Sequence, residues 1–240
     1  MHITGLLISR YIIMNNPKQL TFPWSKSNKS SFDNFFFDPI NNEIKNLLKQ
    51  ESDLFIYGIN QSGKSYLLQS VCNFYSKLGR SALYIPVLDV KKYGKEFIDS
   101  IENFDVICID DIESIANECE WELAIFNLIN NCLISECRLI FSSCKNPSSI
   151  EFSMEDLSSR IKKIDHIELF PVNDNKLYDA IKFIADSRSI SLGEREINYL
   201  ITYCERNMSD LLKKIDDLDK LSMQLKRRIT VPLIKEIIEK

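Results

Sequence analysis

The eight residues from Gly58 to Ser65 have the types and the spacing that bind phosphate groups. They read Gly-Ile-Asn-Gln-Ser-Gly-Lys-Ser, a full match to the pattern G-x-x-x-x-G-K-[ST], between an apolar run and a helical pattern. Glycines let such a loop curl so that backbone N–H groups converge on an anion, and the lysine reaches the outer phosphates. The alternative, a chance glycine turn with an exposed lysine, does not explain this context. We predict that a nucleotide is bound by Gly58, Asn60, Gln61, Ser62, Gly63, Lys64, Ser65 and Tyr66.

Two carboxylates, Asp110 and Asp111, follow the apolar run 106–109. Apolar residues that end in two acids at the tip of a strand are typical of the Walker B motif of ATPases. We predict that Asp110 holds Mg²⁺ through water, together with the hydroxyl of Ser65, and that Asp111 polarises a water molecule. Solvated acids at an ordinary strand end are the alternative, which the spacing from the phosphate loop disfavours.

Three further polar residues are candidates for a part in hydrolysis. Ser142 and Ser143 end the run 138–143, where a hydroxyl can sense the γ-phosphate; an ordinary capped strand end explains them equally well. Arg160 follows Asp156-Leu-Ser-Ser, late in the same region. In ATPases that work between subunits, an arginine here completes the active site of a neighbour by stabilising transition-state charge. A surface arginine is the alternative, which its position alone does not exclude.

The hexapeptide Gln19-Leu20-Thr21-Phe22-Pro23-Trp24 lies in a tail that is rich in Ser, Lys and Asn. Leu20, Phe22 and Trp24 alternate, so an extended peptide presents all three on one side. Pro23 stiffens the peptide and lowers the entropy lost on docking. Two interpretations remain open on this chemistry: the peptide binds a partner protein, or it folds back onto its own domain.

Strand and helix patterns divide the chain into three parts. Five apolar runs, at residues 54–57, 82–85, 106–109, 139–141 and 166–170, are separated by helical patterns such as 64–78 and 120–134. This alternation predicts a parallel sheet covered on both faces. After Pro171 only helical patterns follow (176–188, 194–205, 209–226 and 231–239), with Ser209 and Thr230 as predicted N-caps. We therefore predict a flexible tail over 1–31, an α/β base with a five-stranded parallel sheet over 32–171, and a small all-helical lid over 172–240.

Composition limits the classes of protein. A net charge of −4 argues against a chain that grips DNA with its whole surface, since phosphate neutralisation needs basic residues. The seven cysteines form no Cys-x-x-Cys pair and only two histidines are present, which disfavours a Cys/His metal site and suggests free thiols in the cytoplasm. Residues 1–14 are too short to span a bilayer and are broken by Arg10, so we expect no membrane segment and favour Met14 as the translation start.

These motifs together resemble the DnaA branch of the AAA+ ATPases, and within it the Hda family of regulatory inactivators of DnaA. The likeness covers residues 14 to 240. It is carried by the tail hexapeptide, by Phe32-Asp-Asn-Phe35 with Asn41, by Cys108–Ala116 with Trp121–Phe126, by Asp156–Arg160 and by Thr230–Glu236. The resemblance implies an AAA+ base followed by a helical lid, with the segment at Phe32 to Phe35 helping to enclose the adenine. The chain stops after the lid, where DnaA continues into a DNA-binding domain.

The resemblance also implies a function. In the family, the tail peptide binds the β sliding clamp of DNA polymerase III, so DNA is met only indirectly, through the clamp. The arginine finger, here Arg160, then acts in trans on ATP-bound DnaA and leaves it with ADP, which inhibits replication initiation. On this basis the chain is a nucleotide-binding regulator that carries ADP (or ATP) with Mg²⁺, can form a homodimer or homo-oligomer, and is not itself an enzyme. An autonomous ATPase, such as a helicase loader of the DnaC type, is the alternative.

Four positions depart from the family pattern. Phe22 and Trp24 replace the usual aliphatic clamp anchors, and Cys144 stands where relatives often carry Asp. Ser209 stands where the lid usually carries a sensor arginine, which weakens the case for intrinsic hydrolysis; Arg206, one turn earlier, is a possible substitute.

Overall fold

A computed structural model describes residues 30–238 of the chain. The predicted clamp-binding residues Gln19, Leu20, Phe22, Pro23 and Trp24 lie outside the described residues. Five strands form one sheet: β1 Leu54–Tyr57, β2 Ala82–Pro86, β3 Val106–Asp110, β4 Arg138–Ser143 and β5 His166–Glu168. All neighbouring strands are parallel, in the order β2-β3-β4-β1-β5. The predicted five-stranded parallel sheet is confirmed.

Helices cover both faces of the sheet and then form the lid. In the base they are α1 Asn42–Leu47, α2 Lys64–Lys77, α3 Val87–Val90, α4 Cys119–Ser135 and α5 Glu155–Lys163. In the lid they are α6 Leu177–Ser187, α7 Glu194–Tyr203, α8 Met208–Leu225 and α9 Val231–Ile238. No helix within residues 30–238 is long and apolar enough to cross a membrane.

Three apolar cores hold these elements together. One face of the sheet packs against α4 and α5 through residues such as Ile125 and Leu157. The other face packs against α1 and α2 through residues such as Ile44 and Leu68. The lid has a core of its own, in which Leu200 and Ile215 are fully buried. Strands β1, β3 and β4 are buried on both faces, which is why their sequences are mostly apolar runs and not alternating ones, whereas β5, at the edge of the sheet, is only partly buried.

Two of the differences from the predicted boundaries have a cause that the structure shows. Strand β5 was predicted to reach residue 170 but ends at Glu168, because the side-chain amide of Asn41 takes both backbone groups of Phe170, at 2.8 Å and 3.1 Å. Ser209 was predicted to cap a lid helix but lies inside it. The cap of α8 is Asn207, whose side chain accepts from the N–H of Asp210 at 2.8 Å. Asn at this position is a strong N-cap, and its bond fixes the start of α8.

Arg138, at the start of β4, has a structural role at the edge opposite the phosphate loop. Its side chain is buried and donates to the backbone oxygens of Leu47, Leu48 and Ser52 at 2.7–3.0 Å. These bonds satisfy carbonyls at and after the end of α1, which would otherwise lack partners. Arg138 therefore fastens α1 to the sheet and is not a candidate for chemistry.

Candidate functional site

The order of the strands brings the predicted site residues to one edge of the sheet. Strand β4 lies between β1 and β3, so the phosphate loop, Ser142 and Asp110 lie at the carboxyl ends of three neighbouring strands. The N–H of Gly58 donates to the carbonyl of Ser143 at 3.2 Å, which ties the start of the loop to the end of β4. Ligands of open parallel sheets bind at this edge.

The two glycines of the phosphate loop meet different needs. Gly63 has a φ of 103°, in the left-handed region, and a Cβ there would lie 2.8 Å from the ring of Phe35. Gly58 has no positive φ, and a Cβ there would lie 2.3 Å from the carbonyl oxygen of Leu169. Gly58 is therefore needed for close approach to the chain after β5, and not for the curl that the sequence suggested. Part of the curl comes from Gln61, which has a φ of 64°.

The lysine of the loop is buried and held by the loop itself. The Nζ of Lys64 donates to the carbonyls of Gly58 and Ile59, at 2.7 Å and 2.9 Å, and lies 3.7 Å from the Sγ of Cys144. The ammonium group is therefore at the mouth of the loop, where an anion can meet it. Lys64 also begins α2, whose N-terminal N–H groups add a positive partial charge at the same place.

The two predicted Mg²⁺ ligands meet at the phenol of Tyr84. Tyr84 donates to Oδ2 of Asp110 at 2.6 Å, and its hydroxyl also bonds the side chains of Ser65 and Gln69. Burial, and then the charge of Asp110, raise the pKa of Tyr84, so the phenol remains a donor. The carboxylate of Asp110 and the hydroxyl of Ser65 thus lie on either side of the phenol oxygen of Tyr84. Oxygen atoms of this kind are the ligands that Mg²⁺ prefers. Sequence reasoning missed Tyr84, because nothing in its local sequence shows that β2 places it beside Asp110.

The predicted sensor serines bond to the protein in this structure. Ser142 donates to Oδ1 of Asp110 and accepts from the N–H of Asp111 at 3.2 Å. Ser143 accepts from the N–H of Lys145 at 2.9 Å, and both serines are fully buried. Neither serine lines the cleft described below. The sensor role remains a prediction, while the contact that the structure shows orients Asp110.

Asp111 lies in a negative environment at the end of β3. It adopts a left-handed φ of 57°. Burial, and then the charges of Asp110 and Glu113, raise the pKa of Asp111 to about 6, against an ordinary value of 3.8. Lys64 acts in the opposite direction. A carboxyl that titrates near neutral pH is suited to exchanging a proton with water, as its predicted role requires.

Asp111→Asn is expected to stabilise the protein more at pH 8 than at pH 5. The raised pKa means that the folded state binds more protons than the unfolded state between about pH 4 and 6. Stability is therefore lost as pH rises through this window, and the neutral amide escapes the loss. The stabilisation by Asp111→Asn should be larger at pH 8 than at pH 5 by about 1 kcal/mol, or about 2–4 °C in Tm. This figure allows for the solvent screening of a half-exposed group. Thermal melts of the variant and the wild type at both pH values measure it; equal Tm differences would contradict the assigned repulsion.

A cleft of about 1380 Å³ opens from the phosphate loop and runs between α2 and the lid. Its walls include Asn60 to Tyr66 from the loop, residues 34–36 from the segment before α1, and lid residues of α6 and α8. The rings of Phe35 and Tyr66 lie 5.7 Å apart on the base side. Phe36 contacts Phe183 of α6 edge-on, at 5.8 Å between centroids, and so joins this segment to the lid. Anion binders at one end and aromatic rings beside them fit the phosphates and the base of a nucleotide.

Arg188 is a lid residue of the cleft that sequence reasoning missed. It follows α6, lines the cleft, and forms an ion pair with Asp216 of α8 at 2.6 Å. Burial raises the pKa of Tyr66, and the N–H of Ser31 and then the charge of Arg188 oppose this shift. Arg206, the substitute considered from sequence, instead pairs with Asp174 at 3.7 Å and does not line the cleft. The lid therefore offers a cation to the cleft, Arg188 after α6, although the position of the usual sensor arginine is occupied by Ser209.

Arg160 lies on the outer side of α5, away from the cleft. Leu157 and Ile161 of the same helix are fully buried, while Arg160 is exposed. Within residues 30–238 it forms no ion pair. In this arrangement the guanidinium lies outside the cleft of its own molecule and is exposed, so that another molecule can reach it.

Comparisons with known proteins agree with this architecture. Residues 28–165 match the family of the bacterial DnaA ATPase domain, and residues 174–238 match the family of the Hda lid domain. An uncharacterized protein of Haemophilus influenzae is 32% identical over 227 residues, which are 92% of this chain and 98% of that protein.

Two solved structures show the same fold. Domain III of the replication initiation protein DnaA from Thermotoga maritima superposes with a TM-score of 0.70 at 20% identity, over 88% of this chain and 98% of that one. AMPPCP-bound DnaA from Aquifex aeolicus has a TM-score of 0.65 at 22% identity, over 81% of this chain and 66% of that one. The AAA+ base with a helical lid, predicted from the resemblance, is confirmed.

Proposed function

Because the chain belongs to the DnaA-related AAA+ proteins with an Hda lid, we propose that it is a negative regulator of replication initiation. In this proposal it docks on the DNA-loaded β sliding clamp and supplies an arginine finger to ATP-bound DnaA in the cytoplasm. The finger promotes hydrolysis of the ATP on DnaA, and ADP-bound DnaA is inactive in initiation. The regulator itself is not the ATPase that turns over.

The exposed position of Arg160 is the observation that carries the proposal. An arginine in the protein's own cleft would favour a self-contained ATPase, whereas Arg160 lies outside it on an exposed helix face. A guanidinium supplied by one molecule to the nucleotide of another stabilises the charge of the transferring phosphoryl group. The planar fork of arginine bonds two phosphate oxygens at once, which a lysine does not do.

The cleft of the regulator would hold its own nucleotide, and we propose ADP. The phosphate loop supplies the anion site, and Ser65 and Asp110 would hold Mg²⁺, which neutralises phosphate charge when bound. The ligand would contact both the loop and the lid, so its binding free energy stabilises the joined arrangement of the two. The lid lacks a sensor arginine at Ser209, and this supports a structural nucleotide more than a hydrolysed one.

Arg188→Ala is expected to weaken ADP binding about 10-fold or more, because a hydrogen bond from a charged group contributes about 1.5–3 kcal/mol. Titration calorimetry of the purified protein with ADP measures the loss. Arg206→Ala is the matched control, since this arginine is also on the lid and also paired with an acid, but lies outside the cleft. Equal ADP affinity in the two variants would remove Arg188 from the binding site.

Leu20→Ala is expected to weaken binding to the sliding clamp about 30-fold or more, as the loss of an apolar interface anchor does. Leu20, Phe22 and Trp24 alternate along the peptide and would enter one hydrophobic groove together. Thr21→Ala is the matched control because Thr21 lies between two anchors and points the other way in an extended chain. Surface plasmon resonance with immobilised clamp compares them. Unchanged affinity for Leu20→Ala, with ADP binding intact, would reject the clamp peptide.

A further inference from the structure

Glu122 is a fully buried carboxylate that joins two distant segments of the base. It lies in the first turn of α4. Its Oε1 accepts from the N–H groups of Asn117 and Ser153, at 2.7 Å and 3.0 Å. Its Oε2 accepts from the N–H of Met154 at 2.7 Å. Three N–H donors satisfy both oxygens of the carboxylate, which is otherwise costly to bury.

Two of these donors lie at the start of the helix that carries Arg160. Met154 is the N-cap residue of α5, and no side chain of the helix itself caps its N-terminus. The Glu122 carboxylate thus supplies, from another helix, a partner for the N–H of the N-cap Met154 and for the N–H of Ser153 just before it. A negative group beside a helix N-terminus also interacts favourably with the helix dipole.

The third donor connects the same carboxylate to the nucleotide side of the base. Asn117 follows the short 3-10 helix Ile112–Ile115, which begins directly after Asp111. Asn117 has a left-handed φ of 66°, and its side-chain oxygen also accepts from the hydroxyl of Ser153 at 3.2 Å. The chain after β3 and the chain before α5 are therefore fastened to each other around Glu122.

We propose that Glu122 is a positioning residue for the arginine finger. Leu157 and Ile161 anchor one face of α5 in the core, and Met154 and Ile164 pack against the same core at its two ends. The Glu122 carboxylate fixes the N-terminus of α5 along its axis and so sets where Arg160 projects. This inference rests on the proposed function, because it assigns to Glu122 an effect that is exerted through Arg160.

Glu122→Gln tests the proposal with a side chain of the same shape. The amide has one oxygen, so its NH₂ group faces an N–H donor and at least one of the three bonds is lost. We expect at least a 10-fold lower rate of hydrolysis of DnaA-bound ATP at saturating regulator and clamp. Clamp affinity and the stoichiometry of ADP binding should equal those of the wild type, and amide exchange at Ser153 and Met154 should accelerate. Glu120→Gln is the control: it is on the same turn but exposed, paired with Lys95.

A double-variant cycle separates positioning from a general loss of stability. If Glu122 acts through Arg160, Glu122→Gln lowers the residual stimulation of a protein that carries Arg160→Lys by a smaller factor than it lowers the stimulation of the wild type. An equal further loss in that background would overturn the proposal, as would wild-type stimulation by Glu122→Gln.

Should the Gln variant fail to fold, Glu122→Asp keeps the charge one methylene short, and partial stimulation with full ADP stoichiometry supports the proposal. Wild-type stimulation by Glu122→Asp would then reject it. Lack of stimulation by the wild type itself would reject the proposed function first, and this inference with it.

Discussion

Arg160→Ala is expected to abolish the stimulation of DnaA, with a loss of about 10³–10⁵-fold in the hydrolysis rate at saturating regulator. A finger arginine stabilises charge that exists only in the transition state, so its removal lowers the rate without weakening the docking of the regulator. Arg160 is exposed and unpaired within residues 30–238, so the substitution should change stability by no more than about 0.5 kcal/mol. The fold, the clamp affinity and the ADP affinity of the variant should therefore match the wild type. Single-turnover release of phosphate from pre-formed ATP–DnaA measures the effect.

Two variants on the same helix sharpen this test. Arg160→Lys keeps the positive charge but loses the planar fork, so it should recover only a small part of the rate. Lys162→Ala removes an exposed cation from α5 two residues away, and should leave stimulation unchanged. If Lys162→Ala reduced the rate as much as Arg160→Ala, a basic docking surface would explain the data better than a finger.

Lys64→Ala is expected to weaken ADP binding about 10- to 100-fold, since it removes a charge-assisted contact to the phosphates. A second effect follows from the structure: Lys64 also donates to the carbonyls of Gly58 and Ile59, so its loss frees the loop. Stability without nucleotide should fall by about 1 kcal/mol. Addition of ADP should raise the Tm of the wild type and leave that of the variant nearly unchanged.

Lys182→Ala is the control for this effect, because Lys182 is exposed on α6 and does not line the cleft. Melting curves with and without ADP compare the three proteins. An ADP-induced rise in Tm that is the same for Lys64→Ala and the wild type would show that the phosphate loop does not hold the nucleotide.

Local sequence was sufficient to predict the position of the phosphate loop, the position of Asp110 and Asp111 at the tip of a strand, and the parallel arrangement of the sheet. These features depend on short patterns in which the residues that act are also neighbours in the chain. The parallel sheet that the alternation of strand and helix predicts brings the carboxyl ends of the strands to one edge, and the strand order, which was not predicted, makes Gly58, Ser143 and Asp110 neighbours there.

The residues that sequence reasoning missed act across large separations in the chain. Tyr84 contacts Asp110 from a neighbouring strand, and Glu122 contacts Met154 at the start of another helix. Arg188 lines the cleft only because the lid faces α2 across it, whereas Arg206 has the more suggestive position in sequence. The end of β5 was misjudged for the same reason, since Asn41 takes the backbone groups of Phe170 from 129 residues away. Such contacts are properties of the packed molecule and leave no periodic signal.

The central claim is most directly tested by following ATP bound to the DnaA of the same organism, with sliding clamp loaded on DNA, in the presence and absence of this protein. We expect faster hydrolysis that requires both the regulator and the loaded clamp, with no turnover of free ATP by the regulator alone. No acceleration, together with steady turnover of free ATP by the isolated protein, would contradict the regulator and identify an autonomous ATPase of the helicase-loader kind.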